Sequence, residues 1–158
     1  MKTIPTLAIL VLGLSLLLTG CNSVDKSGGI TVTVADLKAI DSSLLETQVT
    51  MTLRYTSESL NAFGFSGSSH KLYFNGAYIG RAVSHTPIGL PPLSTTTRDV
   101  TLIIENSALV KQLLSMQGQT TASYRLESVL FMTSGDTDIK VKTDSDGVLD
   151  LHGLQAAR

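Results

Sequence analysis

The sequence predicts a mainly β fold: an antiparallel β-sandwich of the immunoglobulin or fibronectin III kind, with about seven strands and one short helix. Three observations predict it. Beyond residue 30 apolar residues recur at every second position in most segments, and turn-forming residues separate those segments. A single segment switches to helical spacing, so strands do not alternate with crossover helices as a parallel sheet requires.

The first element is not part of that fold. Lys2 is followed by an apolar run from Ile4 to Leu18 that ends in Leu18-Thr19-Gly20-Cys21. A run that short, closed by small polar residues, reads as a signal peptide over 1–20 rather than a spanning helix. Its end resembles the lipobox of bacterial lipoproteins, in which the cysteine is acylated and becomes the N-terminus. Cys21 is the only cysteine of the 158 residues, so no intramolecular disulfide is possible, and lipidation gives the lone thiol a role. Each buried methylene of an acyl chain adds about 0.8 kcal/mol of membrane affinity. Asn22, in place of the aspartate that retains such proteins at the inner membrane, resembles the outer-membrane sorting signal. Residues 21–29 are polar and glycine-bearing, a short tether.

Residues 30–152 form the domain. Ile30, Val32 and Val34 alternate with polar or small residues, and Leu45, Thr47, Val49, Met51, Leu53 and Tyr55 do the same, which predicts two half-buried strands. His70 to Phe74 and Ala77 to Val83 flank Asn75-Gly76, the strongest short-range hairpin signal. Pro87, Pro91 and Pro92 lack the N–H a ladder needs, so 86–93 reads as a crossing loop or sheet edge. A strand over 98–104 precedes the helix, whose face is Leu109, Leu113 and Met116, with Val110 and Leu114 beside them. Asn106 or Ser107 is its cap and Gly118 its C-terminal glycine. Thr120 to Met132 alternates again, and Ile139 to Val141 with Val148 to Leu151 forms a closing hairpin around Asp144-Ser145-Asp146-Gly147.

Charge and motifs narrow the function classes. Without Lys2 the chain has 11 basic and 13 acidic residues, a formal charge of −2 with no long run of either sign, so no nucleic-acid partner is predicted. Gly64-Phe65-Ser66-Gly67-Ser68 has serine where a nucleophile elbow needs glycine. His70, His85 and His152 have no second ligand at metal spacing and read as surface or loop-edge histidines. Asp144-Ser145-Asp146-Gly147 lacks the glutamate and flanking helices of a calcium loop and reads as a tight β-turn. No phosphate-binding glycine motif is present. Tyr73, Phe74 and Tyr78 read as core or cross-strand packing before they read as an exposed aromatic patch. These readings predict no enzyme, no cofactor, no metal and no small-molecule substrate.

Three stretches carry a family resemblance: Val49-Thr50-Met51-Thr52-Leu53-Arg54-Tyr55; the hairpin Leu72-Tyr73-Phe74-Asn75-Gly76-Ala77-Tyr78-Ile79-Gly80-Arg81-Ala82; and Ile88-Gly89-Leu90-Pro91-Pro92-Leu93-Ser94-Thr95-Thr96. In their order the chain resembles late embryogenesis abundant proteins of group 2, also called WHy-domain proteins, over Ile30 to Leu151. It departs from the family after the second strand: Asn-Pro-Asn is replaced by Thr56-Ser57-Glu58-Ser59-Leu60-Asn61-Ala62-Phe63. The resemblance implies a non-catalytic domain associated with desiccation and other stress. Joined to the anchor, it predicts an envelope lipoprotein at the outer membrane facing the periplasm, meeting lipid or an envelope protein. The alternative is an adaptor that accepts a partner's extended segment at a sheet edge.

Overall fold

The computed structural model describes residues 28–115, 121–134 and 136–150. The signal peptide, Cys21, Met116, Gly118, His152 and the side chain of Leu113 lie outside the described residues. The strands are β1 (Ile30–Ser42), β2 (Glu46–Ser57), β3 (Phe63–Phe65), β4 (Gly67–Phe74), β5 (Ala77–Ser84), β6 (Ile88–Leu90), β7 (Thr95–Glu105), β8 (Thr121–Ser134) and β9 (Thr137–Asp150). The helix α1 (Asn106–Ser115) follows β7.

The predicted sandwich is corrected by the pairing. Seven strands form one antiparallel sheet in the order β1-β2-β7-β5-β4-β8-β9, and β3 with β6 form a separate two-stranded ribbon. Instead of packing on a second sheet, the sheet curls into a half-barrel and buries its concave face against itself. Its two ends meet: Ser145 Oγ on the edge strand β9 donates to the Val32 carbonyl at 2.6 Å, and the Val34 N–H donates to the hydroxyl of Tyr124 on the neighbouring β8 at 3.3 Å. The seam is thus stitched by side chains rather than by a ladder.

Period-two alternation supplies the concave core. Ile30, Val32 and Val34 of β1, Val49, Met51, Leu53 and Tyr55 of β2, and Val100, Leu102 and Ile104 of β7 are buried on one wall; Leu72 and Phe74 of β4 and Ala122, Tyr124, Leu126 and Leu130 of β8 are buried on the other. Register shifts between Val34 and Asp36 and between Ala39 and Asp41 bend β1, and the first moves its buried positions from even to odd numbers, so Leu37 faces inward. The two walls join through a narrow contact, in which β5 and β7 align only Gly80 to Ala82 with Ile104 to Leu102. A Cβ on Gly80 would stand 2.2 Å from the Ile103 carbonyl oxygen, so the close approach at this joint requires glycine.

Asn75-Gly76 closes the β4–β5 hairpin with φ of 47° and 82°, the two left-handed residues that a type I′ turn demands. The proline segment contributes β6, which pairs with β3 so that Phe65, Ile88 and Leu90 enter the core. The ribbon spans the half-barrel at one end, because the Ser66 N–H donates to the Phe131 carbonyl on β8 while the Ser57 N–H at the end of β2 donates to the Ser94 carbonyl. At the opposite end Asn106 opens α1. Its side chain accepts from Thr47 Oγ1 at 2.7 Å and donates to the Ser43 carbonyl at 2.8 Å, so the residue expected to cap the helix ties it to the β1–β2 turn. Leu109 packs on the core, whereas Val110 and Leu114 are exposed.

The closing hairpin also differs from expectation. Asp144 to Gly147 is not a turn; it lies within β9, aligned with Glu127 to Tyr124 on β8, and the reversal falls where Ser134 faces Thr137. Asp144 and Asp146 point to solvent, and Gly147 leaves room for the Tyr124 ring, which would meet a Cβ there at 2.6 Å.

Candidate functional site

The chemistry-bearing side chains that the fold brings together lie inside the half-barrel. Ala82, His70, Ser128 and Thr143 stand in one row across β5, β4, β8 and β9, all buried. The expectation of a surface His70 is therefore overturned: its relative exposure is 0%. Period two is the reason, since His70 shares parity with Leu72 and Phe74 on the inward face of β4.

Two hydroxyls satisfy the ring. His70 Nδ1 lies 2.8 Å from Ser128 Oγ, and Nε2 lies 3.3 Å from the hydroxyl of Tyr55, which reaches across from the opposite wall. A neutral imidazole with one N–H and one lone pair fits both contacts in either tautomer. The Tyr55 and His70 rings meet edge to face at 6.3 Å. Burial disfavours the charged ring and lowers the His70 pKa from 6.5 to about 4. Burial also pushes the Tyr55 phenol up; the neighbouring Ser68 hydroxyl and the Arg98 charge partly offset that rise. Ser68 Oγ is itself buried and meets no partner at full hydrogen-bond geometry among the described residues.

This row resembles a catalytic constellation only in residue type. A nucleophile needs access to substrate and a base titrating near the working pH; here every member is sealed in the core and the base is held neutral well below pH 6. The signal that could have found it was already present, because Ser128 sits between Leu126 and Leu130 on the inward parity of β8.

The other predicted positions are dispersed. His85 is exposed in the loop after β5. Ser66, in the elbow-like stretch, donates its hydroxyl to the Phe131 carbonyl at 3.2 Å and leads into a strand, not a helix. Phe74 is core, while Tyr73 and Tyr78 form a cross-strand edge-to-face pair at 5.7 Å, with the Tyr73 hydroxyl donating to Glu127 at 3.2 Å. On the convex face Lys71, Arg125, Glu127, Lys142 and Asp144 line a shallow groove. Its charges alternate in sign, and its one ion pair among the described residues, Arg125 with Asp144 at 3.3 Å, is solvent-exposed and adds little stability. Among the described residues no three His, Cys, Asp or Glu side chains gather as a metal site, and no helix is long and apolar enough to cross a membrane.

Comparison with known proteins agrees with this architecture. A solution structure from Arabidopsis thaliana is 16% identical, with a TM-score of 0.54 over 76% of this chain and 80% of that one, which shows a shared fold. A crystal structure of a protein from Archaeoglobus fulgidus is 16% identical over 75% of this chain and 97% of its own, with a TM-score of 0.46. A solution structure described as a late embryogenesis abundant protein is 13% identical, covering 96% of this chain and 88% of its own with a TM-score of 0.44. No curated protein matches the chain. The family model for "Late embryogenesis abundant protein" (LEA_2) matches residues 59–147. The WHy domain is a different domain, so that part of the resemblance is corrected. Because the match spans more than half of the 158 residues, the chain belongs to the group 2 late embryogenesis abundant protein family.

Proposed function

We propose that this chain is a non-catalytic, membrane-anchored module of the late embryogenesis abundant type, held by a lipidated Cys21 and protecting or binding envelope components during desiccation or related stress. The observation that supports the non-catalytic part is the buried Tyr55–His70–Ser128 row, whose polar groups hydrogen-bond one another inside the core. What the domain offers other molecules is its surface. The lipobox-like Leu18-Thr19-Gly20-Cys21 supports the anchor, Asn22 supports the outer membrane with the domain in the periplasm, and family membership supports the stress role.

A second reading, an adaptor for an envelope protein, is favoured by the exposed Leu44 and Leu45 at the β1–β2 turn. Edge-strand addition is disfavoured at Val32 to Val34, where Ser145 and Tyr124 already occupy the edge. It would have to use the bulged half of β1 from Asp36 to Ser42 or the outer edge of β9.

Survival through drying or osmotic shock distinguishes the two. A deletion strain complemented with wild type survives and one complemented with Cys21→Ala does not, with no discrete partner captured by crosslinking. Normal survival of the deletion strain together with one stoichiometric crosslinked protein would instead establish the adaptor.

A further inference from the structure

The end of the half-barrel where the described chain begins carries apolar surface that the core does not use. Gly29 enters β1 beside the loop after β2, its carbonyl accepting from the Glu58 N–H at 2.8 Å. On that loop Leu60 is 79% exposed, and against it stands Leu93, 64% exposed, whose N–H donates to the Ser59 carbonyl at 3.0 Å. Ala62, Pro91 and Pro92 are exposed alongside them and share a shallow recess. Within 58–63 and 91–95 only Glu58 is charged.

Leu93 is the unusual member. Its φ is 49°, in the left-handed region, where a bulky side chain is disfavoured and asparagine or glycine is at home. An exposed leucine kept at that angle adds nothing to the core, and its backbone would relax with a residue suited to the turn.

We propose that Leu60, Ala62, Pro91, Pro92 and Leu93 dock on a lipid bilayer and seat the domain with its ribbon end down, an inference that rests on the lipid anchor proposed above. The length of the tether selects this surface over the apolar far end. Six residues lie between Cys21 and Gly28, and the seven steps from one to the other span at most about 25 Å when fully extended. The 13 residues of β1 carry Leu44 and Leu45 about 40 Å from the point of entry, beyond that reach in an upright domain. Several exposed apolar residues bind a bilayer weakly when free, but the tether makes their contact intramolecular and raises their effective concentration.

The test uses the full-length lipidated protein in vesicles of phosphatidylcholine and phosphatidylglycerol. Acylation leaves no free thiol, so a single introduced cysteine takes an environment-sensitive fluorophore. A reporter at Ala62→Cys shifts to the blue and is quenched by brominated acyl chains, while one at Leu44→Cys is not. Adding Leu60→Ser and Leu93→Asn lowers quenching at position 62 to the level at position 44, while Leu93→Asn alone leaves the thermal midpoint unchanged or raised. Equal quenching at both positions, or quenching at 62 indifferent to the two substitutions, overturns the proposal. The anchor is read separately by flotation: if Cys21→Ala floats with vesicles as well as wild type, it is the lipidation reading that fails.

Discussion

The two walls of the half-barrel are built to different rules. The concave side of β2 and β7 is aliphatic from Val49 to Leu53 and from Val100 to Ile104, interrupted only where Tyr55 extends its hydroxyl. The facing wall of β4, β8 and β9 replaces aliphatic positions with Ser68, His70, Ser128 and Thr143. An aliphatic wall gains stability from burial without caring where its partner sits, since the hydrophobic effect is non-directional. A buried polar row loses free energy unless its partners stand within hydrogen-bond reach, so it specifies how the walls align. The β5–β7 joint spans only three residue pairs, too narrow to fix that alignment alone. The Tyr55–His70 contact and the Ser145–Val32 and Tyr124–Val34 seam supply the rest.

The largest effect is expected where the walls join. Gly80→Val places a side chain against the Ile103 carbonyl and should cost about 3 kcal/mol or more, because backbone on both sides must move. Urea denaturation measures it; a loss under about 1 kcal/mol would mean that the joint is looser than the geometry states.

Acid acts on the polar wall through His70. Since the folded His70 pKa, about 4, lies below its ordinary 6.5, the unfolded chain binds the proton more readily. Stability is therefore full above pH 6.5, falls as pH drops towards 4, and loses about 3 kcal/mol across that window. His70→Leu should remove this dependence while lowering stability at pH 7, where Ser128 and Tyr55 lose their partner. Chemical denaturation of both proteins from pH 7 to 4 provides the check, and parallel pH profiles would contradict it.

The seam comes next. Gly147→Ala drives a Cβ into the Tyr124 ring; the ring can pivot, at the expense of the Val34 hydrogen bond, so a loss of about 2 kcal/mol is expected. Amide exchange at Val34 should accelerate by more than the global loss accounts for. The smallest effect falls on the cross-wall contact: Tyr55→Phe removes one hydrogen bond, at 3.3 Å, and should lower stability by about 1 kcal/mol in thermal unfolding.

Much of this was legible in the residues, and most of the failures share one cause. Alternation placed β1, β2 and β8 correctly, and Asn75-Gly76 placed the hairpin, because period and turn chemistry are local. Alternation also states that one face is buried without stating what buries it. A sandwich and a self-closing sheet therefore read alike, and Val32 gives no sign that Ser145, distant in sequence, will cover its carbonyl. Asp144-Ser145-Asp146-Gly147 has turn composition, but the Tyr124 ring needs that glycine in mid-strand, a long-range demand invisible along the chain. His70 was misplaced for a different reason: residue type was weighed above the parity it shares with Leu72 and Phe74, which already pointed inward. In α1, Asn106 suits a cap by type, yet Thr47 and Ser43 reach it across the fold.

The polar wall is structural, closed to solvent and without a role in proton transfer. Titration of the His70 ring by NMR in the full-length protein tests this most directly. A neutral imidazole down to a pKa of about 4, unmodified by diethylpyrocarbonate at pH 7, is the predicted result. A ring that titrates near 6.5 and reacts readily would mean that the row is open to solvent, and would contradict its role as a sealed structural wall.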